Sequence, residues 1–478
     1  MRGRRMRPRT LWRRCVGSPM ISPQRRRPIT HRPSPCQHSA EPARRKYWSV
    51  RSPTGPSNTL LTESYELDGI TPSRIERPNT ADDLSAALKS IHSDGQAAVL
   101  WGGGTRMHVG NRVARYDAAV DMTGLNRIVD YRPPDLVVVA EAGMTIAALR
   151  AELGKNNQRL PFDAQSPGEA TIGGSLASNA VGPLRGRYGG VRDFVIGMSI
   201  VQADGTMTKS GGSVVKNVAG YDLARLHIGA LGTLGAITTV AFKIGPVPEV
   251  MRTVVAWFDS AESAAVAGMR ITNGAFMPEA VTLVAGQRAA AKASELAAEN
   301  YGKASDNAVM LLIALAAGPA TVERQVNDTN ATLGGAMTDG FVVLDDDLQL
   351  SAWSLVDEQS PTPAFSIRST VKPTAAFDLV SALSKSDSFD ETHIVAQIGF
   401  GTVEAHFWGN ISGEVVRSAQ DAVINAGGAC MIERCPSELK GDLDVFGDLG
   451  APLDVMRRMK QQFDPDGTLS PGRFAGRI

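Results

Sequence analysis

Glycine recurs at every third position of the apolar stretch HIGALGTLGAIT, residues 227–238, at Gly229, Gly232 and Gly235. A collagen-like chain is excluded, because the repeat stops after three glycines and no proline follows it. A helix through this stretch would lose about 0.5–1 kcal/mol for each internal glycine. The pattern therefore predicts a backbone against which something flat or anionic lies very closely.

Four glycine-rich stretches occur in this part of the chain, at residues 102–110, 166–182, 209–220 and 229–235. Backbone N–H groups in such turns can bind phosphate oxygens. The first stretch, WGGGTRM, follows a predicted strand but precedes no helix, so it lacks the context of a Rossmann fingerprint, and the chain has no Walker sequence. The second, SPGEATIGGSLASNAVGP, combines glycines with hydroxyl and amide side chains and predicts a surface for a pyrophosphate and a ribose.

Apolar periodicity predicts alternating helices and strands from about residue 59 onward. Thr80 is expected to cap a helix together with Asp83, and Gly95 to end it. A hairpin turn is expected at Asp204-Gly205. The other predicted elements are a helix over 145–153, capped by Thr145, and strands over 97–101, 117–122, 136–143 and 233–244.

The character of the sequence changes after residue 248. Ala-rich helical stretches such as GQRAAAKASELAAEN then alternate with strand-like runs such as AVMLLIAL and VEAHFWG, which indicates a second α+β domain. The tail VMRRMKQQFDPDGTLSPGRF predicts an amphipathic helix followed by a Pro/Gly turn. We therefore expect an arm over 1–57, a first domain over 58–249, a second over 250–440, and a C-terminal segment over 441–478 that packs back on the first.

The arm is rich in arginine and proline, and Glu41 is the only acidic residue among its first fifty. Such a segment cannot bury enough apolar surface to fold. It fits a disordered tail, a transit-like address, or translated sequence upstream of the true start, with Met20 as one alternative start. No nucleic-acid-binding module accompanies it, so no nucleic-acid partner is expected. The chain has no apolar run of about 18 residues, and no direct membrane span is expected.

The motifs VRDFVIG, VVKNVAGYDLARL and GTLGAIT follow the first two glycine stretches in this order. In this arrangement the chain resembles the FAD-binding domain of the vanillyl-alcohol oxidase, or PCMH-type, flavoprotein superfamily, and within it the FAD-binding E subunits of bacterial glycolate oxidases. The resemblance covers roughly residues 72–248, with weaker support from KQQFDPDGTLSPGRF. It implies an α+β fold in which a PCMH-type FAD-binding domain of two α/β subdomains precedes a smaller α+β cap or substrate domain.

The resemblance also implies that FAD is clamped between the two subdomains and meets three stretches of main chain. Glycines around 229–235 would let this main chain lie against the cofactor and tune its electronics. The implied binding residues are Gly102, Gly103, Gly104, Thr105 and Arg106 in the first loop, Gly168, Thr171, Gly173, Gly174, Ser178 and Asn179 in the second, and Gly232, Gly235, Ala236 and Ile237 in the third. Members that attach FAD covalently often carry histidine where this chain has Thr105, so the resemblance implies non-covalent FAD.

Lys216 and Tyr221 are the candidate catalytic residues. A lysine beside the N1/C2 edge of the flavin would stabilise the anionic reduced form. The alternative places Lys216 in solvent and Tyr221 in the core. Of the neighbouring polar residues, we expect His108 to lie in a surface loop, Asp193 to fix a local turn and Asp222 to cap a helix.

The second domain lacks the H-x-G-D-G-N and G-E-H-G signatures that the catalytic D-2-hydroxy-acid dehydrogenases of the superfamily usually carry. Its histidines, His393 and His406, are expected to be packed or at the surface. Cys430 and Cys435 have no partners at zinc spacing and are expected to be reduced thiols. We therefore expect no metal site.

The resemblance implies an FAD-binding subunit of a glycolate-oxidase-like complex, which oxidises glycolate to glyoxylate. Its expected partners are a second FAD subunit and an iron–sulfur subunit that receives the electrons. It is expected in the cytoplasm, held at the inner face of the membrane only through those partners. The alternative is a stand-alone FAD-dependent oxidase or dehydrogenase of a hydroxy acid or alcohol. In that case Arg368 could grip a carboxylate, although a solvated strand arginine is the more ordinary interpretation. A cofactor-free binding protein of the same fold is a third hypothesis.

Overall fold

The computed structural model describes residues 65–213, 221–291, 309–334, 340–357, 360–384, 389, 391–441 and 443–478. The chain first forms a small parallel sheet with the strand order β1-β3-β2. One helix, α1, crosses from β1 to β2. The bounds of these elements are β1 Arg74–Glu76, α1 Ala81–Ser93, β2 Ala98–Trp101 and β3 Ala118–Asp121.

A five-stranded antiparallel sheet follows, in the order β4-β5-β9-β7-β8. Its strands are β4 Ile128–Arg132, β5 Val137–Glu141, β7 Val195–Val201, β8 Met207–Gly211 and β9 Ala236–Lys243. Its helices are α2 Ile146–Gly154, α3 Ile172–Ala177, α4 Arg185–Tyr188 and α5 Ala224–His227, and a short ribbon pairs β6 Gln158–Arg159 with β10 Gly245–Pro246. The two sheets are the two α/β subdomains that the sequence predicts.

The rest of the chain is built on an eight-stranded antiparallel sheet in the order β14-β11-β13-β12-β16-β17-β15-β18. Its strands are β11 Val250–Phe258, β12 Ala280–Ala285, β13 Val309–Ala317, β14 Gly340–Leu344, β15 Phe365–Thr370, β16 Glu391–Gln397, β17 Thr402–Trp408 and β18 Ala429–Arg434. The helices are α6 Ala261–Thr272, α7 Pro319–Gly334, α8 Asp346–Ser354, α9 Ala376–Ser384, α10 Gly413–Asn425 and α11 Pro452–Phe463.

Both faces of this large sheet are apolar. Successive side chains of a strand point to opposite faces, and several of these strands are continuous apolar runs. Val254 and Leu311 belong to a core that includes residues of α6, α7, α9 and α10. Val255 and Leu312 face the other way and join a second core with Trp353 of α8. Strands buried on both faces read as continuous apolar runs such as AVMLLIAL, which is why these strands are recognisable in the sequence.

The C-terminal tail returns to the first subdomain. After α11, the N–H of Ala98 donates to the carbonyl of Thr468 at 2.7 Å, and the N–H of Ser470 donates to the carbonyl of Ala98 at 2.8 Å. Lys460 and Asp464 form a buried ion pair of 2.6 Å at the end of the helix. The tail therefore extends the sheet edge at β2, whereas the domain boundaries at 249 and 440 stay predictions.

The predicted helices and strands are confirmed for the elements named above, including the hairpin at Asp204-Gly205 between β7 and β8. Strand β4 escapes sequence analysis, because IVDYR is partly exposed and lacks a buried apolar run. The prediction that Asp222 caps a helix is wrong: α5 begins after Leu223, and the Asp222 carboxylate accepts from Arg225 Nε at 2.6 Å. The arm over 1–57 and most of GQRAAAKASELAAEN lie outside the described residues.

Helix α1 begins at a complete capping box. The Thr80 hydroxyl accepts from the N–H of Asp83 at 3.1 Å, and the Asp83 carboxylate accepts from the N–H of Thr80 at 3.0 Å. The helix buries Leu84, Leu88 and Ile91 completely, so its position in the first subdomain depends on this start.

We predict that Thr80→Ala lowers the free energy of unfolding by about 1 kcal/mol, because the N–H of Asp83 loses the hydroxyl oxygen that accepts its hydrogen bond. Urea unfolding of the wild type and the variant measures this loss. Thr80→Ser keeps a hydroxyl acceptor and should restore most of the stability. Equal stability of Thr80→Ala and the wild type would contradict the prediction.

Candidate functional site

A cavity of about 480 Å³ lies between the small parallel sheet and the five-stranded sheet. Three glycine-containing stretches of chain form most of its wall, and Met122 and Ala142 complete it. The lining residues are Leu100, Trp101, Gly102 and Met122, then Ala142, Thr171, Gly173, Gly174 and Ala177, then His227, Leu231, Gly232, Gly235 and Ile237. The structure thus brings together seven residues that the sequence analysis placed in three distant segments: Gly102, Thr171, Gly173, Gly174, Gly232, Gly235 and Ile237.

Close contacts inside the protein require two of the loop glycines. A Cβ at Gly103 would collide with the carbonyl oxygen of Glu169, and a Cβ at Gly102 would collide with the Thr171 hydroxyl. The first and second glycine loops therefore touch through their backbones. Position 235 also requires glycine, because a Cβ there would lie 2.6 Å from Ile200 Cγ2.

The backbone N–H groups of residues 102–106 have no hydrogen-bond acceptor among the described residues. The start of α3 differs, because its first N–H groups are already satisfied. Those of Ile172 and Gly173 donate to the carbonyls of Met144 and Ala142 at 2.9 and 2.7 Å, and that of Gly174 donates to Thr171 Oγ1 at 3.2 Å. Since unpaired N–H groups in a tight turn attract anions, the first loop offers the stronger anion site of the two.

Arg106 leaves this loop toward the large sheet. Its Nη2 donates to Glu433 on β18 at 2.7 Å, and its Nη1 donates to Gln165 at 3.2 Å, while its Nε is buried without a partner. Arg368 Nε forms an ion pair with Glu433 at 3.2 Å, and Arg368 Nη1 donates to the carbonyl of Asn179 at 3.1 Å. One carboxylate therefore joins the first loop, the second loop and the large sheet.

The carboxyl groups of Glu433 and Glu404 respond differently to this environment. Burial opposes ionisation of Glu433, but the Arg106 and Arg368 guanidinium charges outweigh it and lower its pKa. Burial and the negative charge of Glu433 raise the pKa of Glu404, which has no hydrogen-bond partner among the described residues. Glu404 on β17 stands directly opposite Arg368 on β15 in the sheet register.

Two expectations about single residues are wrong. His108 is not an open surface residue: its Nδ1 contacts Arg434 Nη2 at 2.9 Å, and burial together with the Arg434 and Arg106 charges lowers its pKa to about 3. Arg368 is not solvated, since its side chain is 12% exposed. Both errors have one cause: the partners of His108 and Arg368 come from chain segments too distant in sequence to be anticipated.

The remaining predicted residues have distinct places. Lys216 lies outside the described residues, and Tyr221 is 92% exposed, which contradicts the core alternative. Ser178 Oγ donates to the carbonyl of Gly174 at 2.8 Å, and Asn179 has a positive φ of 46°. Other outcomes concern local structure: Gly103, Gly104 and Gly168 are exposed, Ala236 is buried in β9, and the Asp193 carboxylate accepts from the N–H of Gly190 at 2.8 Å, which confirms its turn.

Sequence analysis missed Glu404 and Glu433. Glu404 carried a weak signal, because it interrupts the strand TVEAHFW, whose other residues are buried. Glu433 carried none, since a glutamate near a strand end is ordinarily solvated.

Two further features bear on cofactor chemistry. Among the described residues, no group of three or more His, Cys, Asp or Glu side chains could hold a metal ion, and no helix is long and apolar enough to cross a membrane. His406 is packed as expected, with its Nδ1 2.9 Å from Ser366 Oγ. Cys430 and Cys435 are free thiols, and burial raises the pKa of the latter to about 11.

Comparison with known proteins gives two family matches. Residues 72–211 match the FAD binding domain family, and residues 247–374 with 450–474 match the C-terminal domain of FAD linked oxidases. The first match covers the small parallel sheet and four of the five strands of the second sheet, and the second match covers part of the large sheet.

Two curated relatives are glycolate oxidase subunits. The chain is 37% identical over 171 residues to subunit GlcE of Escherichia coli K12, which is 35% of this chain and 48% of that protein. It is 33% identical over 196 residues to subunit GlcD of Bacillus subtilis 168, which is 41% of each. The chain thus spans less than half the length of these relatives.

A solved structure of alkyldihydroxyacetonephosphate synthase is similar in fold. Its TM-score is 0.63 at 16% sequence identity, and the match covers 84% of this chain and 78% of the other. At this identity the similarity concerns the fold alone.

We predict that Gly103→Ala abolishes retention of the flavin, because the new Cβ forces the first loop away from the Glu169 carbonyl. The visible absorbance of the purified protein measures bound flavin. Gly154→Ala, at a position where a Cβ meets open space, is the matched control and should keep the colour. A fully yellow Gly103→Ala protein would show that the contact between the two loops is dispensable.

His227 gives a pH prediction. It is 4% exposed, its Nδ1 is buried without a partner, and burial lowers its pKa to about 4. Between about pH 6.5 and 4 the unfolded chain therefore binds a proton that the folded chain does not, so stability falls as the pH falls. When the pH is lowered from 7.5 to 5, the free energy of unfolding of His227→Gln should fall by about 2 kcal/mol less than that of the wild type. Urea unfolding at both pH values checks this, and an unchanged pH dependence would contradict it.

Proposed function

Because the chain belongs to the PCMH-type FAD flavoproteins and uses FAD as its cofactor, we propose that it is an oxidoreductase acting on the CH–OH group of a small 2-hydroxy acid. Bound FAD supplies the two-electron acceptor for such a reaction. The residues of this chain bind the cofactor, hold the acid and exclude water.

The FAD assignment fits the donor set of the cavity. Five consecutive N–H groups at 102–106 offer a cradle for the diphosphate, since no described residue competes for them. Gly232, Gly235 and Ile237 form a wall with little side-chain bulk, against which a flat ring system can lie. No side chain in this set calls for a covalent bond, and we propose that FAD is held non-covalently and is released by acid precipitation.

One observation supports an acid as the substrate: two guanidinium groups share the single carboxylate of Glu433. Arg106 Nη2 and Arg368 Nε lie 2.7 and 3.2 Å from the same oxygen, Glu433 Oε1, so two positive charges share one carboxylate. The opposite Glu404 compensates these charges only in part, because burial and the charge of Glu433 raise the pKa of Glu404 to about 7. Within the described part of the chain, the hydrogen-bond partner of Arg368 Nη2 is the Met431 thioether, at 3.5 Å. A substrate carboxylate would complete this arrangement, because charge-assisted bonds from arginine are among the strongest available at a desolvated site.

We propose further that the chain works as the FAD-binding subunit of a glycolate-oxidase-like complex, with a second FAD subunit and an iron–sulfur subunit. The similarity to GlcE supports this assignment. Electrons would leave through the iron–sulfur partner, and any contact with the inner face of the membrane would be through these partners. Affinity purification of the tagged chain from its own cells should recover a cysteine-rich iron–sulfur protein and a second flavoprotein.

The second candidate is a stand-alone dehydrogenase, which the buried and oriented Arg368 favours. Anaerobic mixing of the isolated yellow protein with glycolate, D-lactate or D-2-hydroxyglutarate separates the two. Bleaching of the flavin by the isolated chain supports the stand-alone enzyme. Bleaching only in the recovered complex supports the subunit, and no bleaching in either state rules out the hydroxy-acid function.

We predict that Arg368→Lys raises the KM for the active hydroxy acid on the order of 10- to 100-fold, because an ammonium cannot bind Glu433 and a substrate carboxylate in the same planar arrangement. Steady-state kinetics measures KM, and the flavin content should stay at the wild-type level. Arg324→Lys, on the exposed side of α7, is the control and should leave KM unchanged. An unaltered KM for Arg368→Lys would remove Arg368 from the substrate site.

A further inference from the structure

The first glycine loop is held from behind by the C-terminal tail. Arg473 is buried, and its Nη2 donates to the carbonyl oxygens of Met107 at 2.7 Å and Val109 at 2.5 Å. Lys440 Nζ donates to the carbonyl between them, that of His108, at 2.7 Å. Three successive carbonyl groups therefore receive hydrogen bonds from two buried cations.

The main chain of the tail adds further contacts to the same loop. The N–H of Asn111 donates to the carbonyl of Arg473 at 2.9 Å, and the N–H of Ala114 donates to that of Pro471 at 2.8 Å. The side chain of Asn111 is fixed as well, because it donates to Asp444 and to the carbonyl of Phe474, each at 2.9 Å. The loop cannot shift without breaking several buried bonds.

These contacts determine which backbone groups of the loop stay free. With the carbonyls of 107–109 directed at Arg473 and Lys440, the turn leaves the N–H groups of 102–106 without a protein acceptor. The tail also places positive charge behind these N–H groups. Asp68, 3.8 Å from Lys440 Nζ, is the carboxylate paired with Lys440, and Arg473 Nε remains buried without a partner among the described residues.

We propose that Arg473, assisted by Lys440, is a positioning residue that shapes the 102–106 loop to bind a diphosphate. The tail thus sets the affinity of a site more than 360 residues earlier in the chain. This inference rests on the proposed function, in which that loop binds the diphosphate of FAD.

The test uses two probes on the full-length apoprotein, ADP and adenosine, which differ only by the diphosphate. Calorimetric titration of Arg473→Met should show at least a 10-fold weaker affinity for ADP with the affinity for adenosine unchanged, because charge-assisted bonds to the loop are lost. Arg473→Lys keeps the charge and should recover part of the ADP affinity. Arg477→Met is the matched control, since Arg477 anchors the same tail through the carbonyls of residues 440, 441 and 443 and should leave both affinities unchanged.

A general loss of structure would weaken the affinities for ADP and for adenosine together. That result would overturn the positioning role. If Arg473→Met does not fold, Lys440→Met replaces it. At least a 3-fold loss of ADP affinity alone supports the proposal, and an unchanged ADP affinity overturns it.

Gly103→Ala separates this inference from the assignment of the loop. If Gly103→Ala loses its affinity for ADP and Arg473→Met keeps it, only the role of the tail is refuted. If neither variant affects ADP, the diphosphate lies elsewhere and the loop assignment fails first.

Discussion

The backbone contact between the first two glycine loops is the constraint on which the rest of this structure depends. Gly102 and Gly103 lie so close to Thr171 and Glu169 that a single methyl group has no room. This contact joins the parallel sheet to the antiparallel sheet and leaves the cavity between them. Since a protein interior tolerates neither overlap nor voids, the width of the cavity follows from the absence of these side chains. The glycines thus allow the two loops to pack closely, and this packing leaves the space in which the cofactor can bind.

Buried charge is the second constraint, and it lies next to the first. A buried ion pair contributes little to stability by itself, because desolvation offsets most of the Coulomb attraction. The group around Glu433 is thus poorly explained as a device for stability. Its arrangement makes better sense as a site with a surplus of guanidinium groups, which is most stable when an anion arrives. The raised pKa of Glu404 fits this view, because burial makes this carboxyl harder to ionise, so that it compensates the Arg368 charge less well.

The features of this protein that could be predicted from the sequence depend on interactions between residues that are close together in the chain. The capping box at Thr80 and Asp83, the hairpin at Asp204-Gly205 and the apolar run of β13 each depend on residues close together in the chain, so local pattern sufficed. The three glycine segments were recognised by their motifs. The environments of Arg368 and His108 depend on partners 65 and 326 residues away, at Glu433 and Arg434. No local pattern encodes such a pairing, which is why both side chains were expected in solvent.

The loop over 102–113 also connects the large sheet to the C-terminal tail. Arg106 reaches Glu433 on β18, His108 meets Arg434 and Lys440, and the loop ends against the tail. Almost every stabilising contact of this loop is therefore non-local, and its closure entropy is offset only when the whole chain is in place. A ligand that binds only the ordered loop stabilises every element that orders it, by simple mass action. We therefore expect loss of the cofactor to loosen the contacts that Arg473 and Lys440 make with this loop, and loss of these contacts to weaken cofactor binding.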